Sequence, residues 1–254
     1  MNAADSSTLL NELRRDLDEI DRDIASLLNE RFTVCSEIAK EKRIQSICVE
    51  NRARETEVYD RVRNTAADHP ERCEAVYREI IRQSKKLQKS ELNLYLVGMP
   101  NCGKTKMAGR LSAALDRECV DTDLLIMNDC AMTIDDIFDR YGEDRFRQIE
   151  HEMLKRTAAH GSLIVATGGG VLTYSPNIDL LKGSGIIVFL DRSPDRLVGA
   201  RVRNRPLIRG GAEAVLKLYR ERIADYRGYS DLSVDPDERE SVGRIKDFFL
   251  SRIK

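Results

Sequence analysis

Three features are missing from this sequence of 254 residues, and each absence excludes a class of protein. No apolar run is long enough to span a membrane. The first residues lack the apolar core of a signal peptide. The six cysteines show no CxxC spacing of the kind found in metal or redox motifs. The sequence therefore predicts a cytoplasmic protein with reduced thiols and no membrane partner.

An excess of charge of either sign is also missing. The chain has 42 Lys and Arg residues against 43 Asp and Glu residues. No overall field attracts it to nucleic acid or to an acidic membrane, so any specificity for anions must come from particular basic residues. The length exceeds that of one typical domain and predicts two.

The first ninety residues have the pattern of helices. Apolar residues spaced three and four apart from Leu10 to Ile38 predict one long amphipathic helix. Two shorter helices are predicted at about 51–67 and 71–89. We therefore expect an all-α domain over residues 1–90.

From Leu92 onward the pattern changes to short apolar runs that alternate with helical stretches. The runs are LNLYLVG, SLIVAT and GIIVFL. Such runs are typical of buried parallel strands. Residues 91–254 are therefore expected to form an α/β domain with a parallel sheet.

The first of these strands leads into a phosphate-binding motif. Gly98, Gly103, Lys104 and Thr105 satisfy the spacing GxxxxGK[ST] between a predicted strand and a predicted helix. Backbone N–H groups at the start of a helix bind phosphates, the lysine reaches the β and γ phosphates, and the hydroxyl binds Mg²⁺. The motif predicts that this domain uses ATP and Mg²⁺.

Five further motifs follow in order: VDTD, GEDRFRQIE, ATGGG, RNRPL and RERIADY. Together with the phosphate loop, they resemble shikimate kinase over about residues 92–254. The resemblance implies a base at Asp123, carboxylate-binding arginines at Arg147 and Arg222, a residue near Mg²⁺ at Asp121, a substrate-facing turn at Gly168, Gly169 and Gly170, and a lid arginine at Arg205.

Some details of the kinase half stay open. Gly210 and Gly211 are candidates for the hinge of the lid. The arginine that stacks on adenine is either Arg201 or Arg203. Asn101 stands where the family has glycine, and Lys106 stands where it has a hydroxyl residue, which leaves nucleotide affinity open.

Polar residues interrupt the apolar faces of all three N-terminal helices. Arg31 and Lys42 continue the apolar series of the first helix, Arg54 and Glu55 lie on or beside that of the second, and Ser84 and Gln88 continue that of the third. A buried cation without a partner costs several kcal/mol, so cations at such positions indicate that an anion binds there. The alternative is that their charged ends simply reach the solvent.

This segment resembles an all-helical chorismate mutase, through LRRDLDEIDRDIASLLNERFTVCSEIAKEK, NRARE and IIRQSKKLQ. The resemblance implies that the substrate carboxylates bind Arg14 and Arg31 and that Lys42 and Gln88 contact the ether oxygen. It also implies that the pocket is completed by Arg54, Glu55 and Ser84. The rearrangement requires no metal or cofactor, only positioning and charge stabilisation. One departure is Asn51, where an acid is common.

A helix from about Ser7 to Arg43 would be about 55 Å long, too long for two short helices to cover. Its apolar stripe therefore predicts a second chain. In the family's interlocked homodimer, the residue matching Arg14 enters the neighbouring subunit's site.

The sequence thus supports the hypothesis of a bifunctional enzyme, a chorismate mutase followed by a shikimate kinase. One alternative keeps only the kinase active and makes the helical half a dimerisation or effector-binding module. A second alternative keeps the kinase but changes its acceptor to a nucleotide or a sugar acid, although Arg147 and Arg222 favour a carboxylate.

Overall fold

The computed structural model describes residues 3–47, 49–198 and 211–253, with the side chains of 3–7 and 211 left out. The chain divides into two compact units, Met1–Ile38 and Ala39–Lys254. Within the described residues, no helix is long and apolar enough to cross a membrane.

Three helices occupy the first ninety residues, as predicted. They are α1 (Ala3–Ile44), α2 (Arg52–Thr65) and α3 (Pro70–Ser90). Helix α1 begins before Ser7, where the sequence predicted its start. Asn51 caps α2, because its side chain accepts a hydrogen bond of 3.0 Å from the backbone N–H of Arg54. The residue that departs from the family therefore has a local structural role.

The α/β half contains five strands and seven α-helices among the described residues. The strands are β1 (Asn93–Val97), β2 (Cys119–Asp121), β3 (Ile164–Ala166), β4 (Gly185–Leu190) and β5 (Leu232–Val234). The helices are α4 (Lys104–Leu115), α5 (Thr122–Cys130), α6 (Ile134–His160), α7 (Ser175–Ser184), α8 (Pro194–Val198), α9 (Gly211–Tyr229) and α10 (Ser241–Ile253).

The five strands form one parallel sheet in the order β2-β3-β1-β4-β5. Strands β1 and β4 are buried almost throughout, which explains their continuous apolar sequences. The connections from β1 and β3 leave the sheet in opposite directions, so a crevice opens at their carboxyl ends. The P-loop follows β1 and the Gly168–Gly170 turn follows β3, so both meet at this crevice.

Within Met1–Ile38, the apolar stripe of α1 is exposed. Eight apolar side chains of the stripe are at least 44% exposed: Leu10, Leu13, Leu17, Ile20, Ile24, Leu27, Val34 and Ile38. Residue spacing of three and four places them along one side of the helix. At about 1.5 Å per residue, α1 is about 63 Å long, so this stripe is an extended apolar surface.

Within Ala39–Lys254, two arginines fix the chain where α3 leads into β1. Arg43 is 4% exposed and donates to the carbonyls of Ala158 and Ala159 at the end of α6, at 2.8 and 3.4 Å, and to Glu91 at 2.7 Å. Arg117 donates to the carbonyls of Ser90 and Leu92. These guanidinium groups satisfy carbonyls that a helix end leaves without partners. The end of α1 is thereby held against the kinase sheet.

The same junction requires a glycine at position 183 of α7. A methyl group added to Gly183 would overlap the backbone of Ser46, which follows α1 with a φ of 58°. We expect Gly183→Ala to lower the free energy of unfolding by about 1–3 kcal/mol through overpacking. Urea denaturation measures this change.

The matched control is Gly243→Ala in α10, where an added methyl group meets nothing within 4 Å. Alanine is favoured over glycine inside a helix, so this variant is expected to gain about 0.5–1 kcal/mol. Equal effects of the two substitutions would contradict the close packing at Ser46.

Candidate functional site

The P-loop has the backbone that its sequence requires. Gly98 has a φ of 147°, and an added Cβ would lie 2.9 Å from the carbonyl oxygen of Leu190. Gly103 has a φ of 97° and immediately precedes α4. Asn101 adopts the left-handed conformation with a φ of 64°, so asparagine serves in place of the family's glycine. The loop therefore points the start of α4 into the crevice.

Lys104 is folded back into this loop. Its Nζ donates to the carbonyls of Gly98 and Met99 at 2.8 and 3.0 Å, and the side chain is 6% exposed. These two backbone carbonyls keep the ammonium group close to the start of α4, where a change of rotamer would bring it to a bound phosphate. The ammonium group of Lys104 therefore lies beside the position where its motif predicts phosphate binding.

The two predicted metal ligands are in direct contact. Thr105 Oγ1 donates to Asp121 Oδ2 at 2.5 Å. The other carboxylate oxygen of Asp121 caps α5 by accepting from the N–H groups of Asp123 and Leu124. A hydroxyl and a carboxylate are oxygen ligands of the kind that Mg²⁺ takes together with water and phosphate. The described residues contain no cluster of three or more His, Cys, Asp or Glu that could hold a metal by itself.

The Gly168–Gly170 turn lies between the P-loop and the arginines of the predicted acceptor site. A Cβ on Gly169 would lie 2.8 Å from the side chain of Pro100. The carbonyl of Gly169 accepts from Arg222 Nη1 at 2.7 Å and from the hydroxyl of Tyr226. A side chain on Gly170 would overlap the guanidinium of Arg147. Small residues are needed here because both arginines reach the backbone.

Asp123, Arg147 and Glu150 form the charged part of this site. Arg147 donates to Glu150 at 2.8 Å and to Glu143 at 2.9 Å, and it is 5% exposed. A Cβ on Gly168 would lie 2.9 Å from Asp123 Oδ1 and would overlap Glu150. The structure therefore brings Asp123, Arg147 and the glycine turn together.

Glu150 is a site residue that the sequence analysis missed. It is fully buried, and burial raises its pKa above the ordinary value, with Arg147 opposing this shift. Asn177 also donates to it at 3.4 Å. Its only signal in the sequence is its position three residues after Arg147 on the same helix, which places both side chains on one face.

Glu150→Ala is expected to lower the free energy of unfolding by about 3–5 kcal/mol, because it leaves the buried charge of Arg147 without its main partner. Urea denaturation at neutral pH measures this loss. Glu152→Ala is the matched control, since Glu152 is 69% exposed and, among the described residues, forms an ion pair only with Lys155. That variant should change stability by less than about 1 kcal/mol, and equal losses would contradict the positioning role of Glu150.

Four of the predicted kinase residues lie outside the described residues: Arg201, Arg203, Arg205 and Gly210. Gly211 is the first residue of α9. Beside the P-loop, a cavity of about 130 Å³ is lined in part by Arg110, Arg192 and Pro236. Arg192 donates to the carbonyl of Asn101 at 3.2 Å and to Asp237 at 2.9 Å. The loop after β5 is therefore tied to the P-loop, a connection that the sequence analysis did not predict.

In the helical half, the polar positions of α3 are buried. Ser84 is 4% exposed and donates to the carbonyl of Ile80 at 2.7 Å. Gln88 is 8% exposed, and its Oε1 has no hydrogen-bond partner among the described residues. An orphaned buried acceptor costs about 1–3 kcal/mol, so this amide is suited to a ligand.

The remaining helical residues differ in their surroundings. Lys42 Nζ donates to the carbonyl of Val49 at 2.8 Å. Glu55 accepts from Lys85 at 3.1 Å, whereas Arg54 is exposed and pairs with Glu57. In the part of the chain that the structure describes, no hydrogen bond or ion pair joins these three residues to one another.

Two predicted residues lie in Met1–Ile38. Arg31 is half-buried, and its Nη1 lies 3.8 Å from Cys35 Sγ. Arg14 is exposed on α1. Both positions are on the long helix, and Arg14 lies within the stretch that carries the apolar stripe.

Family models match both halves of the chain. The model described as shikimate kinase matches residues 100–252, and the model described as chorismate mutase type II matches residues 13–89. The two matches do not overlap and follow the order inferred from the motifs.

Relatives and solved structures match the second half. A shikimate kinase of Clostridium beijerinckii is 35% identical over 161 residues, which is 62% of this chain and 95% of that protein. A shikimate kinase of Clostridium botulinum is 36% identical over 135 residues, covering 53% of this chain and 81% of that protein. The structure of shikimate kinase from Acinetobacter baumannii in complex with shikimate is 31% identical with a TM-score of 0.61, covering 64% of this chain and 95% of that chain.

These matches agree with the geometry. The P-loop from Pro100 onward, the glycine turn and the Asp123, Arg147 and Arg222 side chains lie within the region covered by the first model. That model covers more than half of the 254 residues. The chain belongs to the shikimate kinase family, and it carries a chorismate mutase type II domain before the kinase.

Proposed function

We propose that this chain is a bifunctional enzyme of aromatic amino acid biosynthesis. Residues 1–90 rearrange chorismate to prephenate, and residues 91–254 transfer a phosphate from ATP to shikimate, giving shikimate 3-phosphate. The limits of the two family models, 89 and 100, support a boundary near residue 90. The single observation that carries the kinase assignment is the convergence of Asp123, Arg147 and Arg222 on the glycine turn beside the P-loop.

In the kinase reaction, Arg147 and Arg222 bind the carboxylate of shikimate, since fixed guanidinium groups bind carboxylates with defined geometry. Asp123 accepts the proton of the attacking hydroxyl. The oxygen of that hydroxyl forms a bond to the γ phosphorus as the bond from phosphorus to the β-phosphate oxygen breaks.

Four further residues act on the phosphates. Lys104 leaves the carbonyls of Gly98 and Met99 and binds the β and γ phosphates. Thr105 and Asp121 would hold Mg²⁺, which when bound would neutralise phosphate charge. Arg205 is proposed to cover the transferred group and to offset the charge that develops on it.

In the mutase reaction, no bond to the protein forms. Arg14 and Arg31 hold the two carboxylates of chorismate, and Lys42 and Gln88 stabilise the negative charge that develops at the ether oxygen as its bond breaks. Arg54, Glu55 and Ser84 complete the pocket. The orphaned buried Oε1 of Gln88 supports a polar ligand beside α3. We propose that no cofactor is used.

A homodimer completes the mutase site. The exposed apolar stripe of α1 supports a partner chain along Met1–Ile38, because burying apolar area is the main stabilising term in association. We propose that Arg14 enters the site of the partner subunit, while Gln88 serves its own subunit.

Two alternatives, a non-catalytic helical half and a kinase half that acts on a nucleotide or a sugar acid, have less support. A purely structural helical module would gain stability from leucines at the positions of Arg31, Lys42 and Gln88. The match to a chorismate mutase model is not what a simple dimerisation segment predicts. A nucleotide or sugar acceptor in the kinase half is disfavoured by the relatives named as shikimate kinases.

The mutase half is tested by Arg31→Ala. Loss of a carboxylate partner is expected to lower mutase turnover by about two orders of magnitude or more, with kinase activity unchanged. Arg22→Ala on the same helix is the matched control, because Arg22 is 74% exposed and, among the described residues, contacts only Glu19 and the carbonyl of Asp18 on its own helix. Near-normal mutase turnover in a folded Arg31→Ala protein would show that the site is misassigned.

A further inference from the structure

Arg43 lies in the last turn of α1, and its acceptors in the described structure all belong to the kinase half. They are the carbonyls of Ala158 and Ala159 in the last turn of α6 and the carboxylate of Glu91. The Arg43 side chain is 4% exposed. A buried guanidinium is stable only when its donors are paired, and the last carbonyls of a helix form the negative end of its dipole. The position of Arg43 therefore depends on the folded kinase half.

The backbone at the end of α6 is shaped to admit this guanidinium. Gly161 ends α6 with a φ of 72°, and a Cβ there would lie 2.8 Å from Arg43 Nη2. Glycine adopts this conformation freely and leaves room for the close approach. The next residue, Ser162, donates from its N–H to the carbonyl of Glu91 at 2.7 Å. The guanidinium, the start of β1 and the turn before β3 therefore form one hydrogen-bonded cluster.

Lys42, the residue before Arg43, is held by the chain that follows α1. The carbonyl of Lys42 accepts from the N–H of Ile47 at 2.8 Å, and its Nζ donates to the carbonyl of Val49 at 2.8 Å. This chain packs on α7, because a Cβ on Gly183 would lie 2.2 Å from the Cα of Ser46. Contacts with the kinase half on two sides therefore determine where the ammonium of Lys42 lies.

We propose that Arg43 is a positioning residue for the mutase reaction. By binding the end of α6 and Glu91, it fixes the last turn of α1 and thereby the ammonium of Lys42. The kinase half thus supplies part of the scaffold of the mutase site. The effect on the rate rests on the proposed function of the helical half, whereas the hold on Lys42 does not.

The Arg43 cluster lies away from the proposed kinase site. Glu91 precedes β1 and Ala158 precedes β3, so the cluster is at the amino ends of these strands, whereas the P-loop and the glycine turn follow their carboxyl ends. At about 1.5 Å per residue, Ala158 is about 16 Å from Arg147 along α6. Loss of the Arg43 contacts should therefore leave kinase activity intact.

The test variant is Arg43→Met in the full-length protein, which keeps an unbranched side chain and removes the charge and all donors. Lys42 is proposed to act on charge that develops as the ether bond breaks, so its displacement should lower kcat and leave KM unchanged. A misplacement of about 1 Å costs up to about a hundredfold in rate. We expect mutase kcat to fall at least about tenfold, with the KM for chorismate and the kinase activity within about twofold of wild type.

Arg43→Lys is the conservative variant, because it keeps the positive charge and can donate to some of the same acceptors. Its mutase kcat is expected to exceed that of Arg43→Met at least about threefold. A role in stability alone is tested by Ile187→Ala, the matched control. This variant leaves a cavity in the fully buried part of β4 and removes no bond to Lys42 or Arg43. Below the lowest melting temperature of the set, its mutase kcat should equal that of the wild type.

Two further experiments test the hold on Lys42 itself. Gly183→Ala displaces Ser46 while the bonds of Arg43 stay in place, and it too should lower mutase kcat; it replaces Arg43→Met if that protein does not fold. Hydrogen exchange at the amide of Ile47, which donates to the carbonyl of Lys42, measures the hold without any assay of activity. We expect exchange there to be at least about tenfold faster in Arg43→Met than in the wild type.

The outcomes separate the positioning role from the proposed function. Unchanged mutase kcat in a folded Arg43→Met protein overturns the positioning role, and so do equal losses in Arg43→Met and Ile187→Ala. Faster exchange at Ile47 together with a lower kcat supports it. A wild-type protein without mutase activity shows that the proposed function has failed. In that case exchange alone decides whether Arg43 holds Lys42, and an unchanged exchange rate overturns the hold.

Discussion

Lys104→Ala is expected to reduce phosphorylation of shikimate by about three orders of magnitude while chorismate rearrangement stays within about twofold of wild type. The ammonium of Lys104 is the only side-chain cation that the motif places on the transferring phosphates from the P-loop itself. Its removal also frees the carbonyls of Gly98 and Met99, which accept from it in the structure. A coupled assay for ADP and an absorbance assay for chorismate measure the two activities in one preparation.

Asp123→Asn also tests whether kinase activity can be lost without mutase activity, and it leaves the phosphate loop unchanged. Asparagine keeps the size of the side chain and cannot accept the proton of the attacking hydroxyl, so kinase turnover should fall while ATP still binds. The mutase activity of each variant is the internal control for folding. Loss of both activities in a folded variant would contradict the division of the chain near residue 90.

Arg14→Ala and Gln88→Ala homodimers are each expected to be nearly inactive as mutases, and a mixed dimer is expected to regain activity. Arg14 is proposed to serve the partner's pocket and Gln88 its own. In a dimer of one variant with the other, one pocket then carries both defects and the other carries neither. The mixed dimer should therefore show about half of the wild-type mutase activity per dimer.

Two different affinity tags on the two variants allow the mixed dimer to be isolated after joint refolding. Kinase activity of the isolated dimer verifies that both subunits are folded. If Arg14 served its own subunit, every pocket would carry one defect. A mixed dimer that stays inactive would therefore reject the crossed site.

Elements with strong local patterns were predicted well. The three-and-four spacing of apolar residues predicted α1, α2 and α3, and the continuous apolar runs predicted β1, β3 and β4. Strands β2 and β5 were missed, because each has three residues and is only partly buried. Their position depends on pairing with β3 and β4, which local sequence does not reveal.

The site residues that were predicted lie in local sequence motifs, whereas those that were missed depend on contacts between distant parts of the chain. Lys104, Asp123 and Arg147 lie in short motifs with a chemical reason for each residue. Glu150 and Tyr226 act through contacts with Arg147 and Gly169 that only the folded chain forms. Arg43 bonds to carbonyls 115 and 116 residues further along the chain. No periodicity in the sequence predicts a contact at such a distance.

The central claim is that one chain carries two separate activities. The most direct test supplies the purified full-length protein with chorismate alone in one assay and with shikimate, ATP and Mg²⁺ in another. The account predicts prephenate in the first, with no added metal or nucleotide, and shikimate 3-phosphate with ADP in the second. Turnover of shikimate without any turnover of chorismate would contradict it and would leave the helical half as a non-catalytic module.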